Sequence, residues 1–279
     1  MVTKSLIETH HIASNGIELN VAVTGEGPAI LLLHGLLFDG GMWRAQVEPL
    51  SALGRVVIID GPGHGKSEAP PRFTLEDHAD ALAIDAFNEL RIRKSIPIGL
   101  SWGGMIAMRT AIQHPQRVAA LAVLDSSAEP ETLRDKVKFR AFIAFSRRYG
   151  VPRWFVEREL AKLMFGRRTL ADRGPELITQ FTRTVNGYPR DGMARAALAV
   201  VVHRKDLTPK LRGVAAPALV ICGRDDLATP PAKSKALTAK IRDARLEWID
   251  DCGHMSAMER PDEVNDLLVP FVREHVGAR

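Results

Sequence analysis

Short, unbroken apolar runs alternate along this chain with stretches of helical periodicity, and that alternation restricts the fold more than any other feature. Residues 29–33 and 56–59 are continuous apolar runs, the pattern of strands covered on both faces. Residues 95–98, expected to be short and imperfect because of Pro97, join 118–124, 218–222 and 245–249 in the same set. Before them, 7–13 and 17–23 straddle Asn15-Gly16, a dipeptide suited to a hairpin turn. The spacing between strands predicts helices over about 42–52, 75–90, 102–114, 232–241 and 262–276. Thr74 with Asp77 three residues on signals an N-terminal cap, and Pro261 suits a first helical position. Together these runs predict an α/β fold: a mostly parallel eight-stranded sheet with helices on both faces.

The alternation breaks between Ser126 and Pro217, where the pattern is helical throughout. We read 128–212 as a helical cap inserted before the last strands, between core segments 1–127 and 213–279. A chain of 279 residues suits one core carrying such an insertion better than several small units. No stretch approaches the ~20 consecutive apolar residues of a membrane span, and the first residues lack the apolar core of a secretory leader. With only Cys222 and Cys252, disulfides are not expected to hold the fold, and a reducing, cytoplasmic setting fits.

Charge is unevenly placed. Residues 128–212 hold 19 Lys/Arg against 9 Asp/Glu, leaving 19 against 24 in the remainder. A field of that sign could draw in anionic substrates, although solvated helix faces explain it as simply. Aromatics are not interleaved with the basic block as base stacking requires, so no nucleic-acid partner is expected.

The chemistry centres on Gly99-Leu100-Ser101-Trp102-Gly103-Gly104, between a strand run and a helical one. A nucleophile raised above a sheet needs so sharp a turn that its flanking positions must lack bulk. A serine hydroxyl is a poor nucleophile at neutral pH, so a base and an orienting acid should follow it. His254, in Asp-Cys-Gly-His beyond the last strand, is the candidate base; Asp225 and Asp226, beyond 218–222, both qualify as the acid by position. The backbone N–H groups of Leu36, after the first apolar strand, and of Trp102 are candidate oxyanion donors. Phe38 and Trp43 are weaker candidates for the substrate pocket, with Trp102 walling the acyl side. His34 reads as a structural hydrogen-bonding group beneath the site.

Other readings are weaker. Gly65-Lys66-Ser67 ends like a phosphate loop, but the motif's first glycine would fall on Asp60 and Pro62 lacks an N–H. His10 and His11 are strand neighbours pointing to opposite faces, and the two cysteines are spaced unlike a zinc site. No metal or cofactor is expected.

Taken together, His34-Gly35, the turn from Asp60 to Ser67, Gly-Leu-Ser-Trp-Gly-Gly, Gly-x-x-Asp-x-x-Thr-Pro and Gly253-His254 make the chain resemble the alpha/beta-hydrolase superfamily over almost its whole length. The resemblance implies a Ser-Asp-His triad, with the acid three residues after Gly223 and hence Asp226 over Asp225. Ser101 stands where related dehalogenases and epoxide hydrolases carry aspartate. That favours an ester or lactone substrate cleaved through an acyl-enzyme, with C–C bond hydrolysis or perhydrolysis as the alternative. The look is similar to 3-oxoadipate enol-lactonases and perhydrolase-like esterases, carried by Gly-Leu-Ser-x-Gly-Gly-Met and Ala228-Thr229-Pro230-Pro231. A ligand-sensing protein that kept this fold is the alternative of another class.

Overall fold

A computed structural model describes residues 7–14 and 16–277. Its strands are β1 (Glu8–Ser14), β2 (Ile17–Thr24), β3 (Ala29–Leu33), β4 (Arg55–Ile59), β5 (Ser95–Leu100), β6 (Leu121–Leu124), β7 (Ala218–Gly223) and β8 (Ala244–Ile249). They form one eight-stranded sheet in the order β1-β2-β4-β3-β5-β6-β7-β8. The β1–β2 and β2–β4 pairs are antiparallel and every later pair is parallel. β3, β5, β6 and β7 are buried at every position, which is why they read as unbroken apolar runs rather than alternating ones.

Two strands depart from expectation. β5 runs to Leu100 despite Pro97, because its ladder to β6 starts only at Ile98, after the proline. β6 begins at Leu121, and Val118 contributes only an isolated bridge to Ser95. Asn15 of the predicted hairpin turn lies outside the described residues.

The longer α-helices are α1 (Arg44–Ser51), α2 (Leu75–Asp80), α3 (Trp102–Gln113), α4 (Leu133–Tyr149), α5 (Arg167–Gly187), α6 (Arg190–Ala197), α7 (Pro231–Thr238) and α8 (Pro261–His275). Thr74 caps α2 in a full capping box with Asp77, and Pro261 occupies the first turn of α8. α2 continues through a π-helical stretch over Ala81–Ala86. Two large apolar clusters cover the two sheet faces, one around Leu31, Val57 and Trp102, the other around Ile30, Leu32 and Leu124. Opposite alternation along β3 divides its side chains between them.

Between β6 and β7 the described chain is helical, from α4 to the short 3-10 turn Thr208–Gly213. Phe181 of α5 stacks on Phe38 at 5.1 Å, Phe165 meets Phe38 edge-on, and the Tyr188 hydroxyl donates to Asp39 at 2.9 Å. The excursion is thereby fastened to the loop that follows β3. No helix among the described residues is long and apolar enough to cross a membrane.

Trp43 is fully buried in the same cluster as Ile30, Leu50 and Val56, so its indole fills the core. Trp43→Ala should therefore cost about 3–5 kcal/mol of stability, read as a lower urea midpoint.

Candidate active site

The parallel strands deliver their loops to one edge, and the residues singled out by sequence lie on those loops. Ser101 follows β5 with φ 52° and ψ −111°, a conformation L-residues rarely adopt. Its neighbours explain how the turn is tolerated. A Cβ on Gly99 would collide with the Gly103 carbonyl, and one on Gly103 with the carbonyl of Leu33. The Ser101 N–H donates to the Leu124 carbonyl at 2.8 Å, and its own carbonyl accepts from Ser126 Oγ at 2.7 Å and from the Met105 N–H at 3.0 Å. The turn is thus fixed from both sides, with the N-terminus of α3 directly behind the hydroxyl-bearing residue.

His254 and Asp226 are both buried and joined, Asp226 Oδ2 accepting from His254 Nδ1 at 2.9 Å. Asp226 is held by its own loop: Oδ1 accepts the N–H groups of Ala228 and Thr229, and Oδ2 also accepts from Thr229 Oγ1. Asp225 is exposed. With Nδ1 carrying a proton toward Asp226, Nε2 is the imidazole atom left to accept one. Burial opposes charge on this ring, but the charge and hydrogen bond of Asp226, with Asp125 and Glu259 nearby, raise its pKa above the ordinary 6.5.

Leu36 lies in a loop tied on both flanks. His34 Nε2 accepts from the Gly61 N–H at 2.7 Å, so its proton sits on Nδ1 and is donated to the Gly35 carbonyl at 2.8 Å. His64 Nε2 likewise accepts from the Leu37 N–H, its Nδ1 facing the Pro62 carbonyl. The Trp102 indole points inward, edge-on to His34 and His78 and near His64. The ring expected to wall the acyl side is thus buried among histidines. Phe38, stacked beneath the helical excursion, is the one expected pocket aromatic placed between core and excursion.

The turn with Gly65-Lys66-Ser67 holds no phosphate cradle. The Asp60 carboxylate fills it, accepting from Asn20 Nδ2 and from the N–H groups of Gly40 and Lys66. Asp125, Cys222 and Asp226 also meet, with one ligand atom of each within 4.8 Å of the others. Both carboxylates there are already committed to N–H or O–H donors, so the cluster is explained without an ion.

The family model described as the alpha/beta hydrolase fold matches residues 28–261. The chain belongs to that family. Among solved structures it is similar to an esterase from Thermogutta terrifontis, with TM-score 0.88 and 32% identity over 96% of this chain and 99% of that one. It is also similar to the enol-lactonase from Burkholderia xenovorans LB400, with TM-score 0.85 and 29% identity over 94% and 99%. A pimeloyl-[acyl-carrier protein] methyl ester esterase of Xanthomonas campestris is 31% identical over 91% of this chain and 98% of that protein. The chain spans about half, 54%, of the rat bifunctional epoxide hydrolase 2 that it also matches.

Two residues of this alpha/beta hydrolase that shape the site were not singled out from sequence. Asp125, fully buried after β6, accepts from the Gly223 N–H at 2.8 Å and the Ser256 N–H at 3.2 Å, binding the acid loop to the histidine loop. Burial and the charge of Asp226 push its pKa up to about 8. Glu259 accepts from the N–H groups of Gly253, Met255 and Gly166, joining the histidine loop to the excursion. The available signal was a carboxylate immediately after a strand, and another after the last catalytic candidate. Asp125→Asn keeps the shape but cannot accept both N–H groups. It should lose about 1–3 kcal/mol of stability, measured by urea unfolding.

Proposed function

We propose that the protein is a serine hydrolase that cleaves a carboxylic ester or lactone through an acyl-enzyme, with Ser101 as nucleophile, His254 as base and Asp226 as orienting acid. The observation that carries this reading is the buried Asp226–His254 hydrogen bond on loops sharing the sheet edge with the strained Ser101 turn. Similarity to an esterase and to an enol-lactonase supports the same class of bond.

In the proposed cycle His254 Nε2 takes the Ser101 proton as Oγ attacks the carbonyl carbon. The imidazolium that forms is stabilised and oriented by Asp226. Backbone N–H groups of Leu36 and Trp102 bind the oxyanion, aided by the positive end of α3. The same histidine protonates the leaving oxygen, then activates the water that releases the acid. No step in this cycle needs a cofactor. Residues 128–212 act as the cap, bringing Phe165 and Phe181 onto Phe38 in the loop after β3.

Purified protein should hydrolyse p-nitrophenyl acetate and take covalent label from a fluorophosphonate probe at Ser101. Ser101→Ala should lower kcat by on the order of 10⁴-fold or more. Tight ligand binding with neither turnover nor labelling would instead identify a binding protein on a hydrolase fold.

The histidine must be unprotonated to act as base. Because Asp226 raises its pKa, kcat/KM should climb with pH on a limb centred above 6.5. Asp226→Asn should move that limb down and reduce the rate, whereas Asp225→Asn should leave both near wild type. A limb unaffected by Asp226→Asn would refute the assignment.

A further inference from the structure

Large apolar side chains standing in solvent are concentrated on one side of the helical excursion. Along α4, Leu133, Val137, Phe145 and Tyr149 follow a four-residue spacing, with Ala141 completing the row. Leu133, Val137 and Tyr149 are 79%, 63% and 65% exposed. Exposed Trp154 extends the row: it packs on Phe155, whose ring stacks on Phe142 of α4 at 4.3 Å. The helix is 17 residues long, about 25 Å at 1.5 Å per residue. Its inner side already has a partner, since Phe139 and Ile143 pack with Ala194, Ala197, Val202 and Leu36. The outer row belongs to none of the buried apolar clusters, and an exposed apolar face of this extent marks an interaction surface.

Charge decides what that surface meets. Residues 133–154 contain seven Lys/Arg and a single acidic residue, Asp135, whose carboxylate is engaged with Thr132 at the start of α4. Arg147 pairs with Asp191 and Arg153 with Glu157. Arg134, Lys136, Lys138, Arg140 and Arg148 have no carboxylate partner among the described residues. Two copies meeting through this face would bring two such cation rows together, which opposes self-association. A layer offering phosphates beside an apolar interior satisfies both halves of the pattern. We propose that the outer face of α4, with Trp154, docks the protein onto a lipid membrane carrying anionic headgroups. The aromatic and aliphatic tips enter the interfacial zone, and the unpaired cations lie on headgroup phosphates.

The test is co-flotation of the 279-residue chain with vesicles of phosphatidylcholine alone or mixed with phosphatidylglycerol. Binding is expected to the mixed vesicles only, to weaken as salt screens the headgroups, and to shift tryptophan emission to the blue by a change lost in Trp154→Phe. Val137→Ser with Phe145→Ser, and separately Lys138→Gln with Arg140→Gln, should each weaken binding about tenfold or more. Circular dichroism and unfolding midpoint should stay at wild-type values in both, since neither pair packs in the core. Absence of flotation with the mixed vesicles would overturn the proposal. So would binding indifferent to the serine pair, which reduces the contact to headgroup electrostatics without apolar insertion, or a dimer in light scattering that the serine pair dissolves.

Discussion

Strand β5 and helix α3 approach each other at the elbow more closely than any side chain allows, and the geometry of the active edge depends on that approach. Glycine at 99 and 103 lets the two backbones and the Leu33 carbonyl share one small volume. The turn between them is then too tight for an ordinary backbone, and Ser101 takes the strain, with φ at 52°. Such a conformation costs on the order of 1–3 kcal/mol and survives only where the surroundings over-determine it. Here three hydrogen bonds, from the Ser101 N–H and to its carbonyl, hold it against β6 and the body of α3. A larger residue at either glycine would separate strand from helix and lower the serine into the sheet edge.

The loops around the elbow are held by buried carboxylates rather than by apolar contacts. Asp60 closes the turn after β4, Asp125 joins the end of β7 to the histidine loop, Asp226 fixes its own loop, and Glu259 ties the histidine loop to the helical excursion. Most of the N–H groups they accept belong to backbone that has left the sheet; the exception is Gly223, the last residue of β7. An irregular loop can be buried only if such groups are satisfied, and a carboxylate, with about four acceptor sites, satisfies several at once. This is why the edge of the sheet is rich in acids although only one of them touches the histidine.

Much of this was legible in the sequence because the physics involved is local. Apolar runs reveal strands buried on both faces, and a capping box or a proline at a first turn reveals where a helix starts. The elbow, too, is written in consecutive residues, and its position between a strand and a helix separates it from a chance Gly-x-Ser-x-Gly. Position alone left Asp225 and Asp226 level; burial of one and exposure of the other separate them in the fold. Asp125 and Glu259 were invisible because their partners lie on other loops, and nothing about a lone acid after a strand announces which distant N–H groups it will meet. Trp102 misled for the opposite reason. Its neighbour is the candidate nucleophile, yet its own ring turns into a nest of histidines.

Those histidines show how locally the site's basicity is set. His34, His64 and His78 are all buried near Trp102, and burial pulls each below the ordinary imidazole pKa, His64 and His78 to about 3. His254 is equally buried and moves the other way. Depth in the protein therefore does not distinguish them; the hydrogen-bond partner does. His34 and His64 spend their rings on backbone N–H and carbonyl groups, which fix a neutral tautomer. Asp60 and Asp39 act on His34 only through space, too weakly to offset desolvation. His254 alone among the four has a carboxylate on its Nδ1, and that carboxylate is itself held by three further donors from its own loop. A single residue type thus provides neutral supports for the loop that carries Leu36 and one ring made more basic by its carboxylate partner. The division rests on where Asp226 lies.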